Sequence, residues 1–148
     1  MKLKFTLFLI PLLLFSGGCA DRKNEKPKVV FILPEGFRGV FKVVQNNQGK
    51  MVASDSGTIF IIVPSDGIVS LKNREFLYDW HGIEAKFISG EMLYNADASE
   101  PKENETAFFS LWAESDNGPI FYLVGSKKDY EAARKAGPWK IESFLPAN

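Results

Sequence analysis

The sequence is short of the residues from which disulfides and metal centres are built. Its 148 residues include one cysteine and one histidine. A disulfide within the chain needs two cysteines, and a zinc site needs at least three nitrogen, sulfur or carboxylate ligands. The sequence therefore predicts neither a disulfide nor a metal site, and a fold that depends on its apolar core.

Motifs that bind phosphate cofactors or activate a serine are also missing. The chain has no glycine-rich phosphate loop and no Gly-x-Ser-x-Gly elbow. We therefore expect no cofactor, and a protein that is not a catalyst. The alternative is an envelope hydrolase that uses His81, beside Asp79 and Trp80, together with a serine or a carboxylate.

Neither sign of charge is in excess. Eighteen Lys and Arg residues balance 18 Asp and Glu residues. Proteins that bind nucleic acid carry a basic footprint, and segments that bind anionic lipid carry clusters of Lys and Arg. We expect no nucleic-acid partner, and a membrane contact that does not depend on a polybasic patch.

The apolar run near the start of the chain is too short to cross a bilayer. Residues 5–15 are almost wholly apolar and follow a basic start with Lys2 and Lys4. A membrane-spanning helix needs about 20 apolar residues. A basic start followed by a short apolar run is typical of a secretory signal, so residues 1–18 are predicted to be a signal peptide.

The order Ser16-Gly17-Gly18-Cys19 after this run resembles a bacterial lipobox. The resemblance implies that Cys19 carries a lipid such as palmitate and becomes the first residue of the processed chain. The protein would then be anchored in a bacterial cell envelope. Because Ala20 is not the aspartate associated with inner-membrane retention, the outer membrane is expected if the cell has two membranes. Residues 19–28 are polar and are predicted to be a flexible tether that reaches at most ~30 Å.

Residues 29–148 are predicted to form a single β-rich domain. Short β-branched and aromatic runs bounded by turn residues are typical of strands. We predict a hairpin of 58–63 with 68–71 around Pro64–Gly67, a turn at 46–49, and a hairpin over 108–125 around Asn117-Gly118. Further strands are predicted at 29–33, 40–45 and 83–89.

One helix is predicted near the end of the chain. Ser126 is a helix N-cap with Asp129 at the capping-box position, and Gly137-Pro138 is a stop signal. Residues 139–145 are predicted to form a last strand or an extended segment. The fold class is therefore all-β: a β-sandwich of the transthyretin or immunoglobulin type with one short C-terminal helix. A small β-barrel is the alternative.

Three stretches resemble a family of small, uncharacterised bacterial envelope proteins. They are "ILPEGFRGVFKVV", "GTIFIIVPSDGIVSL" and "YLVGSKKDYEAARK". That family has an Ile/Leu-Pro-Glu-Gly-Phe/Tyr-x-Gly motif after its first strand. The resemblance implies a β-sandwich-like domain without catalytic residues.

The candidate binding surface consists of residues in turns and irregular segments. They are Glu35, Arg38, Trp80, His81 and Trp139. Aromatic side chains offer a large contact area at a low entropy cost. The expected function is that of a membrane-anchored lipoprotein that binds an envelope protein or a small molecule, or supports the envelope structurally. A carrier of a small apolar ligand is a further alternative, and it would need an aromatic-lined cavity inside a barrel. Whether the acidic loop 95–106 binds a cation is left open.

Overall fold

The structure is a computed structural model that describes residues 28–52, 54–55, 57–78, 82–113 and 118–146. The strands are β1 (Lys28–Leu33), β2 (Gly39–Lys50), β3 (Ser54–Asp55), β4 (Thr58–Ile62), β5 (Ile68–Leu71), β6 (Gly82–Phe87), β7 (Tyr94–Asn95), β8 (Ala107–Ala113) and β9 (Ile120–Gly125). The helices are a first 3₁₀ helix (Glu75–Leu77), α1 (Lys127–Ala136) and a second 3₁₀ helix (Pro138–Phe144).

The first sheet has the strand order β3-β4-β1-β6. Its middle strand β1 pairs in parallel with β4 on one side and β6 on the other. Val29, Phe31 and Leu33 point to one face of β1 and are buried. Side chains alternate between the faces of a strand, so this face of the first sheet is the one that packs inward.

The second sheet has the strand order β5-β2-β9-β8-β7. Strands β2, β9 and β8 are antiparallel neighbours, whereas β5 and β7 lie parallel to β2 and β8 at the edges. The turn predicted at 46–49 forms a bulge within β2, because Gln45 and Lys50 both have Leu71 as their partner. The side chain of Asn46 supports the bulge by accepting a hydrogen bond from the Gln48 amide at 2.9 Å.

The two sheets pack face to face around a cluster of aromatic rings. The ring of Tyr122 lies 4.8 Å from Phe31, 5.1 Å from Phe41 and 5.4 Å from Phe108, measured between centroids. Such spacings are those of rings in contact. Phe31 comes from the first sheet and the other three rings from the second, so this cluster joins the two layers.

A second apolar core lies on the other side of the second sheet. The α-helix and the second 3₁₀ helix cover that side, and Ala133 and Ile141 are buried there together with Phe109, Phe121 and Leu123. Every residue of β9 is buried as a result. A strand that is covered on both faces reads as a continuous apolar run, as "IFYLVG" does.

The prediction of an all-β fold with a short C-terminal helix is confirmed. The described residues form two sheets and no closed barrel, which excludes the barrel alternative for this part of the chain. The helix begins and ends where predicted: Ser126 is its N-cap in a capping box with Asp129, and Gly137 is its C-cap. None of the helices in the described residues is long and apolar enough to cross a membrane.

Two local predictions are wrong. Strands β4 and β5 do not form a hairpin, because β4 belongs to the first sheet and β5 to the second. The turn Pro64–Gly67 forms, with Gly67 at a φ of 71°, but it carries the chain from one sheet to the other. The segment predicted as a last strand is instead the second 3₁₀ helix, which buries Ile141 against the second sheet.

Candidate functional site

The loop after β1 presents two of the predicted binding residues to solvent. Pro34 accepts a hydrogen bond from the Phe37 amide at 3.1 Å, and Gly36 adopts a φ of 69° that glycine tolerates best. This turn buries Phe37 against Phe41 at a centroid distance of 6.1 Å. Glu35 and Arg38 are exposed on this loop.

Arg38 borders a surface cleft of about 680 Å³. Its guanidinium Nη2 donates a hydrogen bond to Thr106 Oγ1 at 2.6 Å, which joins the loop to the segment before β8. The other polar side chains that line this cleft are Glu91, Tyr94 and Glu105, and its apolar wall includes Phe37, Phe87, Met92 and Leu93. A cleft with charges of both signs beside apolar walls suits a polar ligand or a polypeptide segment better than a purely apolar molecule.

Trp139 is a separate feature of the surface. It is 94% exposed in the first turn of the second 3₁₀ helix. Asp129, whose pKa is lowered mainly by Ser126 and also by the charge of Arg38, stands near the start of α1. Trp139 follows the C-terminal end of this ten-residue helix and does not line the cleft that Arg38 borders.

The other predicted site residues lie outside the described residues. Cys19, Trp80 and His81 belong to this group. The lipidation of Cys19 and the hydrolase alternative based on His81 therefore stay predictions.

A buried arginine near the end of the sandwich is a feature that sequence reasoning missed. Arg74 is 1% exposed, and its guanidinium lies 5.5 Å from the ring centroid of Tyr78. Nη1 donates a long hydrogen bond of 3.4 Å to the Val43 carbonyl, whereas Nε and Nη2 have no partner among the described residues. Arginine is rarely buried without a paired charge, and nothing in "LKNREFL" distinguishes Arg74 from a surface residue.

The phenol of Tyr122 belongs to the same region. Burial raises the pKa of Tyr122 strongly, Asp97 and Tyr78 raise it further, and the positive charge of Arg74 opposes this shift. The phenol is therefore protonated throughout the physiological pH range. Tyr122 acts here as a core aromatic residue with a hydroxyl group near a buried cation.

The acidic loop 95–106 uses several of its polar side chains in contacts within the loop and with β6 and α1. Asn95 donates a hydrogen bond to the Ile83 carbonyl at 2.7 Å, and Glu105 accepts one from the Lys102 amide at 3.1 Å. Glu100 forms an ion pair with Lys127, which lowers the pKa of the Glu100 carboxyl. No three acidic, histidine or cysteine side chains among the described residues converge as metal ligands do.

The centre of the sandwich is filled by side chains. Phe41 and Phe108 lie 6.2 Å apart, and Phe31 and Phe41 lie 5.1 Å apart, between ring centroids. The aromatic residues that an apolar-ligand carrier would use to line a cavity are thus packed against one another. This packing argues against the carrier alternative.

No model of a protein family matches the chain, and no curated protein matches it significantly in sequence. Among solved structures, the chain is similar to a 2.75 Å crystal structure of a Bacillus anthracis protein assigned as a lipoprotein. The TM-score is 0.42 and the identity 11%, over 84% of this chain and 100% of the other. A similarity at this level is too low to indicate a common fold or a common activity. The resemblance to the family with the Pro-Glu-Gly motif stays an expectation.

Proposed function

We propose that this protein is a lipoprotein of a bacterial cell envelope, anchored through Cys19, whose β-sandwich binds a partner close to the membrane. The observation that carries the proposal is the distance along the chain between the lipobox-like cysteine and the fold. Strand β1 begins at Lys28, nine residues after Cys19. Nine extended residues span at most about 32 Å, so the sandwich would stay beside its membrane.

The physical chemistry of lipid anchoring supports this design. One acyl chain holds a protein only reversibly, while two or more chains hold it stably. A lipidated N-terminal cysteine needs no basic cluster beside it, which agrees with the balanced charge of the chain. The anchor would supply the attachment, and the sandwich would supply the binding surface.

The anchor is tested by expressing the full chain and the Cys19→Ser variant in a bacterium fed with radioactive palmitate. The native chain should incorporate label and remain with the membrane fraction until detergent is added. The variant should carry no label and leave the membrane fraction. A Cys19→Ser protein that fractionates like the native chain would contradict the proposed anchor.

The binding surface is tested by chemical crosslinking in living cells that express the anchored protein. We expect a discrete envelope partner whose yield falls several-fold in Arg38→Ala, because Arg38 borders the mixed-charge cleft. The matched control is Lys72→Ala, an exposed basic residue that does not line this cleft. Equal crosslinking yields in the two variants would show that the cleft is not part of the binding surface.

A further inference from the structure

The outer face of the first sheet is unusually apolar for a surface that no helix covers in the described part of the chain. Phe60 is 46% exposed, Ile62 61%, Ile88 73% and Met92 50%. We call these four residues the outer apolar face. The corresponding side of the second sheet is closed by α1 and the second 3₁₀ helix.

The strand register places these residues side by side. Phe60, Val30 and Glu84 form one row across β4, β1 and β6, and Ile62, Ile32 and Lys86 form the next. Met92 extends the second row through an antiparallel bridge to Lys86. Phe60, Ile62 and Met92 therefore lie on one side of the sheet, and Ile88 follows β6 two residues after Lys86.

The sequences of β1 and β4 are those of strands that are covered on both faces. "VVFIL" and "TIFII" are continuous apolar runs, a pattern typical of strands buried on both sides. The inner residues Ile59 and Ile61 belong to the sandwich core. Phe60 and Ile62 do not belong to it, and they line a surface pocket together with Pro64 and Ile68. Scattered apolar side chains are normal on a surface, but a contiguous patch is typical of an interaction site.

The point where the chain enters this sheet suggests what covers the patch. Lys28 is the first residue of β1, the inner strand between β4 and β6. A six-residue strand is about 20 Å long, which is less than the ~32 Å reach of the segment from Cys19. Every row of the outer apolar face can therefore touch the bilayer surface while Cys19 stays anchored.

The charged side chains on this face suit a lipid headgroup layer. Lys28 forms a 2.6 Å ion pair with Glu84 at the edge nearest the tether. The ammonium of Lys86 lies 5.6 Å from the ring centroid of Phe60, where its aliphatic part covers the patch. A lysine can extend its ammonium to headgroup phosphates while its stem and the neighbouring aromatic ring stay in the apolar boundary.

From these observations we infer that the outer apolar face rests on the bilayer and holds the sandwich in a fixed orientation, an inference that depends on the proposed lipid anchor. The contact can be weak on its own, because the anchor raises the effective concentration of the face at the membrane. The α1 side of the molecule, with Trp139, would then point away from the membrane.

The test couples the processed chain, through the thiol of its single cysteine Cys19, to maleimide lipids in vesicles of phosphatidylethanolamine and phosphatidylglycerol. The photoreactive residue p-benzoylphenylalanine replaces Ile62, Ile88 or Trp139, one position at a time. Lipid adducts are measured by mass spectrometry after irradiation. We expect several-fold more lipid adduct at positions 62 and 88 than at position 139, the matched exposed position on the other side.

A second substitution shows whether the patch itself makes the contact. Phe60→Ser, combined with the probe at position 88, should lower the lipid adduct several-fold, while circular dichroism confirms an unchanged fold. Trp139→Ser should leave that adduct unchanged. Because the coupling is chemical, this result does not depend on lipidation in the cell. The proposed lipidation of Cys19 and the proposed orientation of the sandwich are therefore tested independently.

Three results would overturn the inference. Adducts that link two copies of the chain at positions 62 and 88 would assign the patch to a dimer. Lipid adducts at position 139 alone would place the opposite side on the membrane. Equal yields at all three positions would show a sandwich with no preferred orientation.

Discussion

At the scale of single residues, Arg74 is the least expected feature of the molecule. Its guanidinium is removed from water, yet Nε and Nη2 have no partner among the described residues. Each buried polar group left without a partner costs roughly 1–3 kcal/mol, and more when the group is charged. The long stem of the side chain offsets part of this cost by packing.

Two substitutions of Arg74 separate the free-energy cost of burying its charge from the stabilisation that its packed stem provides. Arg74→Met keeps most of the volume and removes a charge that has no paired acid among the described residues, so the free energy of unfolding should rise by about 1 kcal/mol. Arg74→Ala should lower it by about 2 kcal/mol, because the packed stem is lost and a cavity remains. Urea unfolding measures the change in the free energy of unfolding of each variant, provided that the m-value is the same as in the native chain. If Arg74→Met is destabilising, the contacts of the guanidinium with the Val43 carbonyl and the Tyr78 ring outweigh the cost of burying its charge.

At the scale of elements, the capping box fixes where α1 begins. The Asp129 carboxylate accepts a hydrogen bond from the Ser126 amide at 2.8 Å and one from the Ser126 hydroxyl at 2.7 Å. These bonds lower the pKa of Asp129 below its ordinary value of 3.8. Because the folded-state pKa is depressed, the stabilisation from the carboxylate is complete above the ordinary pKa and is lost as the pH falls through the folded-state value.

Asp129→Asn tests this dependence on pH. At neutral pH the variant should lower the free energy of unfolding by about 1 kcal/mol, since the charged cap and its interaction with the helix dipole are lost. The difference between variant and native chain should shrink as the pH falls below 3.8. The matched control, Glu131→Gln in the second turn of the same helix, should have a smaller effect at neutral pH. A difference for Asp129→Asn that stays constant down to pH ~2 would rule out the carboxylate as its source.

At the scale of the whole molecule, the second sheet belongs to both apolar cores. Its inner face contributes Phe41 and Tyr122 to the sandwich core, and its outer face contributes Phe121 and Leu123 to the core under the helices. The pair Lys42–Glu142 further ties the second 3₁₀ helix to β2. A shared sheet couples the two cores, so we expect them to unfold together.

Matched substitutions in the two cores test this coupling. Ile61→Val lies in the sandwich core and Ile141→Val in the core under the helices, and both isoleucines are buried. Each should lower the free energy of unfolding by about 0.5–1.5 kcal/mol. Tryptophan fluorescence and far-ultraviolet circular dichroism should show one coincident transition for both variants. If one probe alone shows Ile141→Val unfolding at a lower denaturant concentration, α1 and the second 3₁₀ helix detach from the second sheet before the sandwich unfolds.

Features that depend on a few neighbouring residues could be predicted from the sequence. Ser126, Asp129 and Gly137 define α1 because caps act within one helical turn. The pairing of β8 with β9 followed from two aromatic runs joined by a short polar segment. The exposure of Glu35 and Arg38 followed from the Pro-Glu-Gly turn, but the contact between Arg38 and Thr106 did not, since these residues are 68 positions apart.

The sequence by itself determined most of the longer strands, the α-helix and the balance of charge, because these depend on local chemistry and composition. The tertiary structure alone decided that β4 and β5 enter different sheets, that Arg74 is buried, and that Phe60 and Ile62 face outward. The reason is physical: a turn such as Pro64–Gly67 has the same local geometry whether the following strand pairs with the preceding one or crosses to another sheet. Contacts between residues far apart in the chain make that choice, and no local pattern encodes them.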